Sequence, residues 1–356
     1  MTQGPVDVLC VGLGPAGASA AAAAARAGLR VVAVDRRREA GQPVQCAEFV
    51  PAMLGVEVAA LAQSVRQGID AMLTFVEADA PDVHAGFRGT MLDRARFDAA
   101  LVDAAKAAGA CCRFGVAVRR ITADGRVDLA DGSVLTPRVI VGADGPRSLV
   151  GDAIGRCNEA LVETRQVSVP LRIAHDATDI FLSDAIPGGY GWLFPKGDVA
   201  NVGAGVVPSA RARLKDIVNA LHRSLVDAGR VGPDVLALTG GLIPVGGMLE
   251  PHALLASTHV LLAGDAAGLA NPVTGAGIAA AVYSGKQAGA TAAALVAGDE
   301  AAAAAYADDL RDVFGAALDR ALRRRKELEA RAEAGAGARK AALRRGWIAY
   351  PEYWAA

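Results

Sequence analysis

Gly12-Leu13-Gly14-Pro15-Ala16-Gly17 separates a short apolar run, Val6 to Val11, from an Ala-rich stretch, Ala18 to Ala27. A second apolar run, Leu29 to Val34, ends on Asp35. This order dictates a strand–turn–helix–strand unit: short continuous apolar runs read as buried strands and the Ala-rich stretch as a helix. Gly12 permits the tight turn, Gly14 lets the main chain approach a diphosphate, and Gly17 lets helix and strand pack closely. The helix start supplies free N–H groups and a partial positive charge. Asp35 is placed to accept hydrogen bonds from a ribose hydroxyl. A lone glycine cluster signals only a turn. With strand, helix, second strand and terminal acid all in place, the unit predicts a dinucleotide site.

The chain has 356 residues, 53% hydrophobic and 21% charged, enough for one large or two modest globular domains. A net charge of −1 gives no overall pull towards nucleic acid or membrane. Ala and Gly are abundant, as a base-composition bias of the source or a packing demand would each produce. The first apolar run is already a strand, so no secretory leader is expected. The tracts Ala18 to Ala25 and Ala288 to Ala297 are too interrupted to resemble spans of ~20 residues. Cys10, Cys46, Cys111, Cys112 and Cys157 are odd in number and form no CxxC pair. They point away from disulfides and zinc, towards a reducing, cytoplasmic setting. Cys10 reads as a small buried hydrophobe. His84, His175, His222, His252 and His259 lack metal-ligand spacing, so no metal is expected, and Ser148 lies outside any GxSxG elbow.

Along the chain, helices are expected at Pro51 to Leu61, Arg94 to Ala108, Arg211 to Ala228 and Gly275 to Ala297, and from Ala301 onward. Short strands are expected within Cys111 to Arg119 and at Val127 to Leu129, Val134 to Val141, Asn201 to Val207 and Val260 to Ala263. Alternation at Val167, Val169, Leu171 and Ile173 predicts an antiparallel sheet with one exposed face.

Three further segments sharpen the reading: Asp93-Arg94-Ala95-Arg96-Phe97-Asp98, Val141-Gly142-Ala143-Asp144-Gly145-Pro146-Arg147-Ser148, and Leu261 through Gly264-Asp265 to Asn271-Pro272-Val273-Thr274-Gly275-Ala276-Gly277-Ile278. With the first motif they resemble, in order, the FAD-binding core of the p-hydroxybenzoate hydroxylase-like flavoproteins. Gly189-Tyr190-Gly191-Trp192-Leu193-Phe194-Pro195-Lys196-Gly197 resembles the YxWxFP segment of geranylgeranyl reductases, and Cys46 falls where that family places a cysteine near the flavin. Ala47 departs from the glycine that follows that cysteine elsewhere, and the chain is shorter than many isoprenoid-saturating members.

The resemblance implies an α/β fold: a Rossmann-type FAD-binding domain, an inserted antiparallel β-sheet substrate domain, and a C-terminal helical tail. The expected boundaries are 1–165 and 251–300 for the FAD-binding domain, with 50–90 near the substrate side, then 166–250 and 301–356 for the other two. FAD is then held by Gly12, Gly14, Ala16, Gly17, Asp35, Arg36, Arg94, Val118, Asp144, Gly145, Asp265, Pro272, Gly275, Gly277 and Ile278. Asp265, at the carboxyl end of a strand, suits a ribityl hydroxyl, and the helix opened by Pro272, Gly275 and Gly277 suits the electron-rich end of a flavin. Asp144 corresponds to an aspartate serving both FAD and nicotinamide, or it terminates a strand. No second dinucleotide unit is present, so an NADH or NADPH donor would dock transiently.

Cys46, Tyr190 and Trp192 are the candidates for the reaction face. On a strand, Tyr190, Trp192 and Phe194 share one side, as a pocket wall or as sheet core. Cys46 reads as a proton donor, a redox thiol or a structural residue. Glu48 either tunes that thiol, donates a proton, or is an ordinary surface charge.

The implied activity is an NAD(P)H-driven, FAD-dependent reductase acting on an unsaturated isoprenoid-like or other apolar substrate. Alternatives are an electron supplier for lipoate assembly or a protein-bound thiol or disulfide, a flavin monooxygenase, and a non-catalytic FAD scaffold. The basic tail, Arg323-Arg324-Arg325-Lys326 with Arg339-Lys340 and Arg344-Arg345, is followed by Trp347-Ile348-Ala349-Tyr350-Pro351-Glu352-Tyr353-Trp354. It is either a solvated helix with its aromatic end packed on the body, or a docking surface for an anionic membrane or an acidic carrier protein.

Overall fold

Two large sheets carry the chain in the computed structural model, which describes residues 6–52, 59–333 and 340–355. The first has six strands in the order His252–Leu255, Thr258–Leu262, Val139–Gly142, Val8–Val11, Val31–Asp35 and Cys111–Phe114. All neighbours run parallel except the first pair, which is antiparallel. Val8–Val11, Val31–Asp35 and Val139–Gly142 are buried along their whole length. That is why they read as unbroken apolar runs: a parallel sheet is covered on both faces.

One cover is the helix Pro15–Arg26, packed on the long helix Ile278–Val296. A Cβ at Gly285 would stand 2.1 Å from the Ala16 carbonyl oxygen, and one at Gly289 2.4 Å from that of Ala20. The two main chains touch, so the small residues here answer a packing demand beyond any base-composition bias.

The second sheet has seven strands: Ala237–Pro244, Leu161–Pro170, Val199–Val206, Gly191–Lys196, Ala177–Leu182, Ala71–Val76 and Asp82–His84. Only the contact of Ala71–Val76 with Ala177–Leu182 is parallel. One face is covered by the amphipathic helix Leu214–Asp227 through Leu214, Val218 and Leu225. The other receives the aromatic end of the tail. Two three-stranded sheets, Phe49–Pro51 with Gly89–Leu92 and Val65–Ile69, and Val134–Leu135 with Val127–Leu129 and Val118–Ile121, complete the fold.

Several expected boundaries move. Pro51 ends a strand, and the helix expected at Pro51 to Leu61 is Ala59–Ser64, with 53–58 outside the described residues. Val134 to Val141 is two strands, because Pro137 cannot donate a ladder hydrogen bond. Cys111 to Arg119 also splits, the left-handed Gly115 turning the chain out of the parallel sheet. The helix expected from Arg211 begins at Leu214, after a 3₁₀ turn at Pro208–Arg213. The helix expected from Gly275 begins at Ile278, because Asn271 to Gly277 is folded into a turn of its own.

Candidate functional site

Distant motifs meet at the carboxyl ends of the parallel strands. Gly12 sits in the left-handed region at φ +94°, and a Cβ there would lie 2.3 Å from the Ala143 carbonyl oxygen. Gly264 lies against Ala16 and Ala281, and a Cβ at Gly277 would stand 3.2 Å from Asp265 Oδ1. The Asn158 side chain donates to the main-chain oxygens of Pro146 and Asp265, at 3.2 and 2.8 Å. The glycine turn, the Asp144 loop and the Asp265 loop therefore form one rim.

That rim fits FAD. Gly14 caps the helix Pro15–Arg26 without any side-chain hydrogen bond, and a Cβ there would meet nothing within 4 Å. The space above an uncapped helix start suits a diphosphate. Gly277 leaves the start of Ile278–Val296 equally free of a side-chain cap. Asp35 accepts the Leu13 and Arg37 N–H groups at 2.8 Å each, so it braces the glycine turn while keeping lone pairs for a ribose. Arg36 is exposed directly beside it. Val118 opens a strand and pairs with Leu129.

Asp265 is the most informative acid. Burial pushes its carboxyl from 3.8 up to about 6, against the opposing pull of Arg94. Among the described residues no donor hydrogen-bonds to it. A half-buried carboxylate that no protein donor takes up suits a hydroxyl from a ligand. Asp144 differs. Its oxygens take the Ser148 hydroxyl and the N–H groups of Leu149 and Val150, so it secures the start of the helix Leu149–Ala153, and burial still pushes its carboxyl up. Gly145 lies beside it at φ +89°. Asn271 Oδ1 accepts the Val273 and Thr274 N–H groups, which shapes the turn through Pro272 and the left-handed Gly275.

The acid–ligand match has a pH signature. Below about pH 6 the unliganded protein carries Asp265 protonated, whereas hydroxyl donors favour the carboxylate. FAD binding then releases a proton, so affinity rises with pH up to about 6 and is level above it. Fluorescence titration should show this rise in the native protein and a flat profile in Asp265→Asn.

The second cluster lies around Cys46. Arg94, first residue of the helix Arg94–Ala107, pairs through two nitrogens with Asp98 at 3.1 Å each and lies within electrostatic reach of Cys46. Its charge reaches Asp265, so it links the thiol to the rim. Tyr190 donates its hydroxyl hydrogen to the Thr274 carbonyl oxygen at 2.6 Å. Burial, reinforced by the neighbouring Cys46, pushes that phenol well above its usual range. Trp192 donates to Gln166 at 2.9 Å, and Gln166 donates to the Cys46 carbonyl oxygen at 3.4 Å.

Tyr190, Trp192 and Phe194 do share one side, while Leu193 packs into the opposite core. Successive rings in the row are 5.7 and 6.2 Å apart. Glu48 is no surface charge: it is 5% exposed, and its carboxylate accepts hydrogen bonds from Lys196, Asn201 and the Arg94 main chain.

The tail packs back as well. Trp347 is 3% exposed and lies 4.8 Å from the Tyr190 ring. Tyr350 donates to Asp82 at 2.7 Å. The basic residues are not simply solvated. Arg324 and Arg325 are buried, the first bonded to the Tyr353 carbonyl oxygen and the second to that of Pro272 in the rim.

Sequence reasoning missed Gln166, Lys196, Asn201, Asp98 and Trp347 as parts of this centre. The recoverable signals were polar residues inside otherwise apolar strands, Gln166 and Asn201, and Asp98 one helical turn after Arg94. Nothing local marks Trp347, whose partners Met72 and Tyr190 are remote in the chain.

Comparison with known proteins agrees with this geometry. The family described as geranylgeranyl reductase catalytic domain matches residues 160–242, and the family described as FAD binding domain matches residues 5–179. A digeranylgeranylglycerophospholipid reductase from Methanocella arvoryzae is 34% identical over 344 residues, covering 88% of this chain and 85% of the relative. One from Methanopyrus kandleri is 34% identical over 309 residues, covering 80% and 79%. Among solved structures, a geranylgeranyl bacteriochlorophyll reductase-like protein from Thermoplasma acidophilum superposes with a TM-score of 0.81 at 24% identity, over 91% of this chain and 87% of the other. A probable FAD-dependent monooxygenase from Pseudomonas aeruginosa reaches 0.69 at 20% identity, over 93% and 98%. At these identities the two structures speak for the fold alone.

Proposed function

We propose, for a chain that belongs to the geranylgeranyl reductase family of FAD-dependent oxidoreductases, that it saturates double bonds of an isoprenoid chain carried on a polar lipid, using NADH or NADPH as reductant. The lipid class rests on the relatives named as digeranylgeranylglycerophospholipid reductases, which this chain matches over most of their length. The observation that carries the reading is Arg94, whose charge lies within reach of both Cys46 and Asp265. It ties the Cys46 side chain to a cofactor rim.

When bound, FAD would supply the hydride-transfer chemistry. The chain supplies the rest. The helix start at Gly14 and the carboxylates of Asp35 and Asp265 hold the cofactor. Saturating a double bond needs a proton on the second carbon, and the Cys46 sulfur is the donor in this reading. Tyr190 is a wall of the reaction face, since its hydrogen is committed to the Thr274 oxygen. Trp192, Phe194 and Trp347 keep water from the reacting carbons.

The test begins with colour. Protein incubated with FAD should turn yellow and bleach when mixed anaerobically with NADH or NADPH. A geranylgeranyl lipid should then restore the colour, and mass spectrometry should find two hydrogens added per double bond. Protein that stays colourless with excess FAD sinks the reading. Oxygen consumption with a hydroxylated product would move it to a monooxygenase.

A further inference from the structure

Residues 46–48 adopt a conformation that the chain does not favour by itself. Three non-glycine residues have positive φ among those described: Glu48 at 69°, Glu77 at 55° and Ala256 at 50°. Glu77 and Ala256 are exposed, whereas Glu48 is buried. A side chain held in this region needs its surroundings to impose it.

The surroundings are specific. One oxygen of Glu48 accepts Lys196 Nζ at 2.7 Å and Asn201 Nδ2 at 3.1 Å. The other accepts the Arg94 main-chain N–H at 3.1 Å. Asn201 also donates to the Ala47 carbonyl oxygen at 3.4 Å. Lys196 and Asn201 belong to adjacent strands of the seven-stranded sheet, and Arg94 to a helix on the cofactor side. With the carboxylate anchored at both ends, the Glu48 main-chain N–H points at Cys46 and donates to its sulfur at 3.1 Å.

We propose that Glu48 is the positioning residue for the reaction thiol: its buried carboxylate, clamped by Lys196, Asn201 and the Arg94 main chain, fixes the main-chain N–H that holds the Cys46 sulfur. The inference rests on the role given to Cys46 above. Glu48 acts through Cys46, so its loss should separate the two half-reactions.

Glu48→Gln puts an amide donor on one side of the clamp and leaves Lys196 without its anion. We expect this variant to lose about 10–100-fold in reoxidation of the flavin by lipid substrate, and far less in bleaching by the nicotinamide. Iodoacetamide labelling of Cys46, followed on its own peptide by mass spectrometry, should accelerate several-fold, because the sulfur is no longer held inward. Measuring it at a pH alkaline enough to ionise exposed thiols makes the rate report access. Lys196→Met leaves the same carboxylate unpaired from a site at the end of a hairpin, and should raise Cys46 labelling too. The double variant should lose no more than Glu48→Gln alone, the mark of one shared interaction.

Unchanged Cys46 labelling in both single variants overturns the proposal, as does a parallel loss of FAD binding and bleaching. Failure of the broader reading looks different. Cys46→Ser would then leave lipid reduction intact, while the labelling rates still judge the clamp.

Discussion

Gly17→Ala should yield a protein that neither holds FAD nor reaches native stability, while Gly14→Ala should stay folded and lose only the cofactor. The two substitutions add the same methyl group, and the difference lies in what it meets. At Gly17 the new Cβ would fall 1.8 Å from the Gly12 carbonyl oxygen and 3.2 Å from the Ala143 Cβ. The first neighbour is main chain, so no rotamer change relieves the clash. The helix Pro15–Arg26 must back away from the sheet, which costs about 1–3 kcal/mol or more for overpacking. The retreat also takes the helix start out of register with the turn. At Gly14 nothing lies within 4 Å, and φ is −75°, which alanine tolerates. There the methyl group occupies the room that the diphosphate needs. Thermal unfolding of the FAD-free proteins and titration with FAD separate the outcomes. A Gly14→Ala protein with unchanged FAD affinity would remove the diphosphate from this helix start.

The glycine turn was legible in the sequence because everything it needs is local. Strand, turn, helix and second strand follow one another within Val8 to Asp35, and the period of the apolar residues reports each. Asp265 was legible for a related reason, an acid directly after an apolar strand. The Cys46 centre was only half legible. Cys46 and the Tyr190–Phe194 row stood out by resemblance, but the groups that hold them, Glu48, Lys196 and Asn201, come together across the sheet at separations that no local pattern encodes. A buried glutamate looks like a surface one until its lysine is known, because burial of a charge depends on its partner. Element ends moved where backbone hydrogen bonding overrode apolar pattern, as at Pro137 and at the Asn271 turn. The basic tail read as a charged solvated helix for the same reason. Its arginines are paired with carbonyl oxygens and acids far away in the chain.

Cys46→Ser should leave the yellow cofactor in place and its bleaching by NADH or NADPH intact, yet lower lipid reduction about 10²–10⁴-fold, the range that a positioned proton donor contributes. The geometry around the sulfur is fixed. The sulfur receives the Glu48 main-chain N–H at 3.1 Å, and the clamped Glu48 carboxylate fixes where that donor stands. A serine oxygen fits the same space and accepts the same hydrogen bond, so cofactor binding and fold have no reason to change. What it lacks is acidity: a hydroxyl gives up its proton far less readily than a thiol. Tyr190 cannot substitute, since its hydrogen is bonded to the Thr274 oxygen and its phenol is held well above the usual range. Asp265 lies on the far side of Arg94's reach and belongs to the rim, where its carboxylate would be taken up by FAD. The loss should therefore appear in the oxidative half-reaction alone, read by stopped-flow recovery of the flavin absorbance on mixing reduced enzyme with lipid. Recovery at the native rate would show that the proton comes from elsewhere, and Cys46 would then be a residue of the wall.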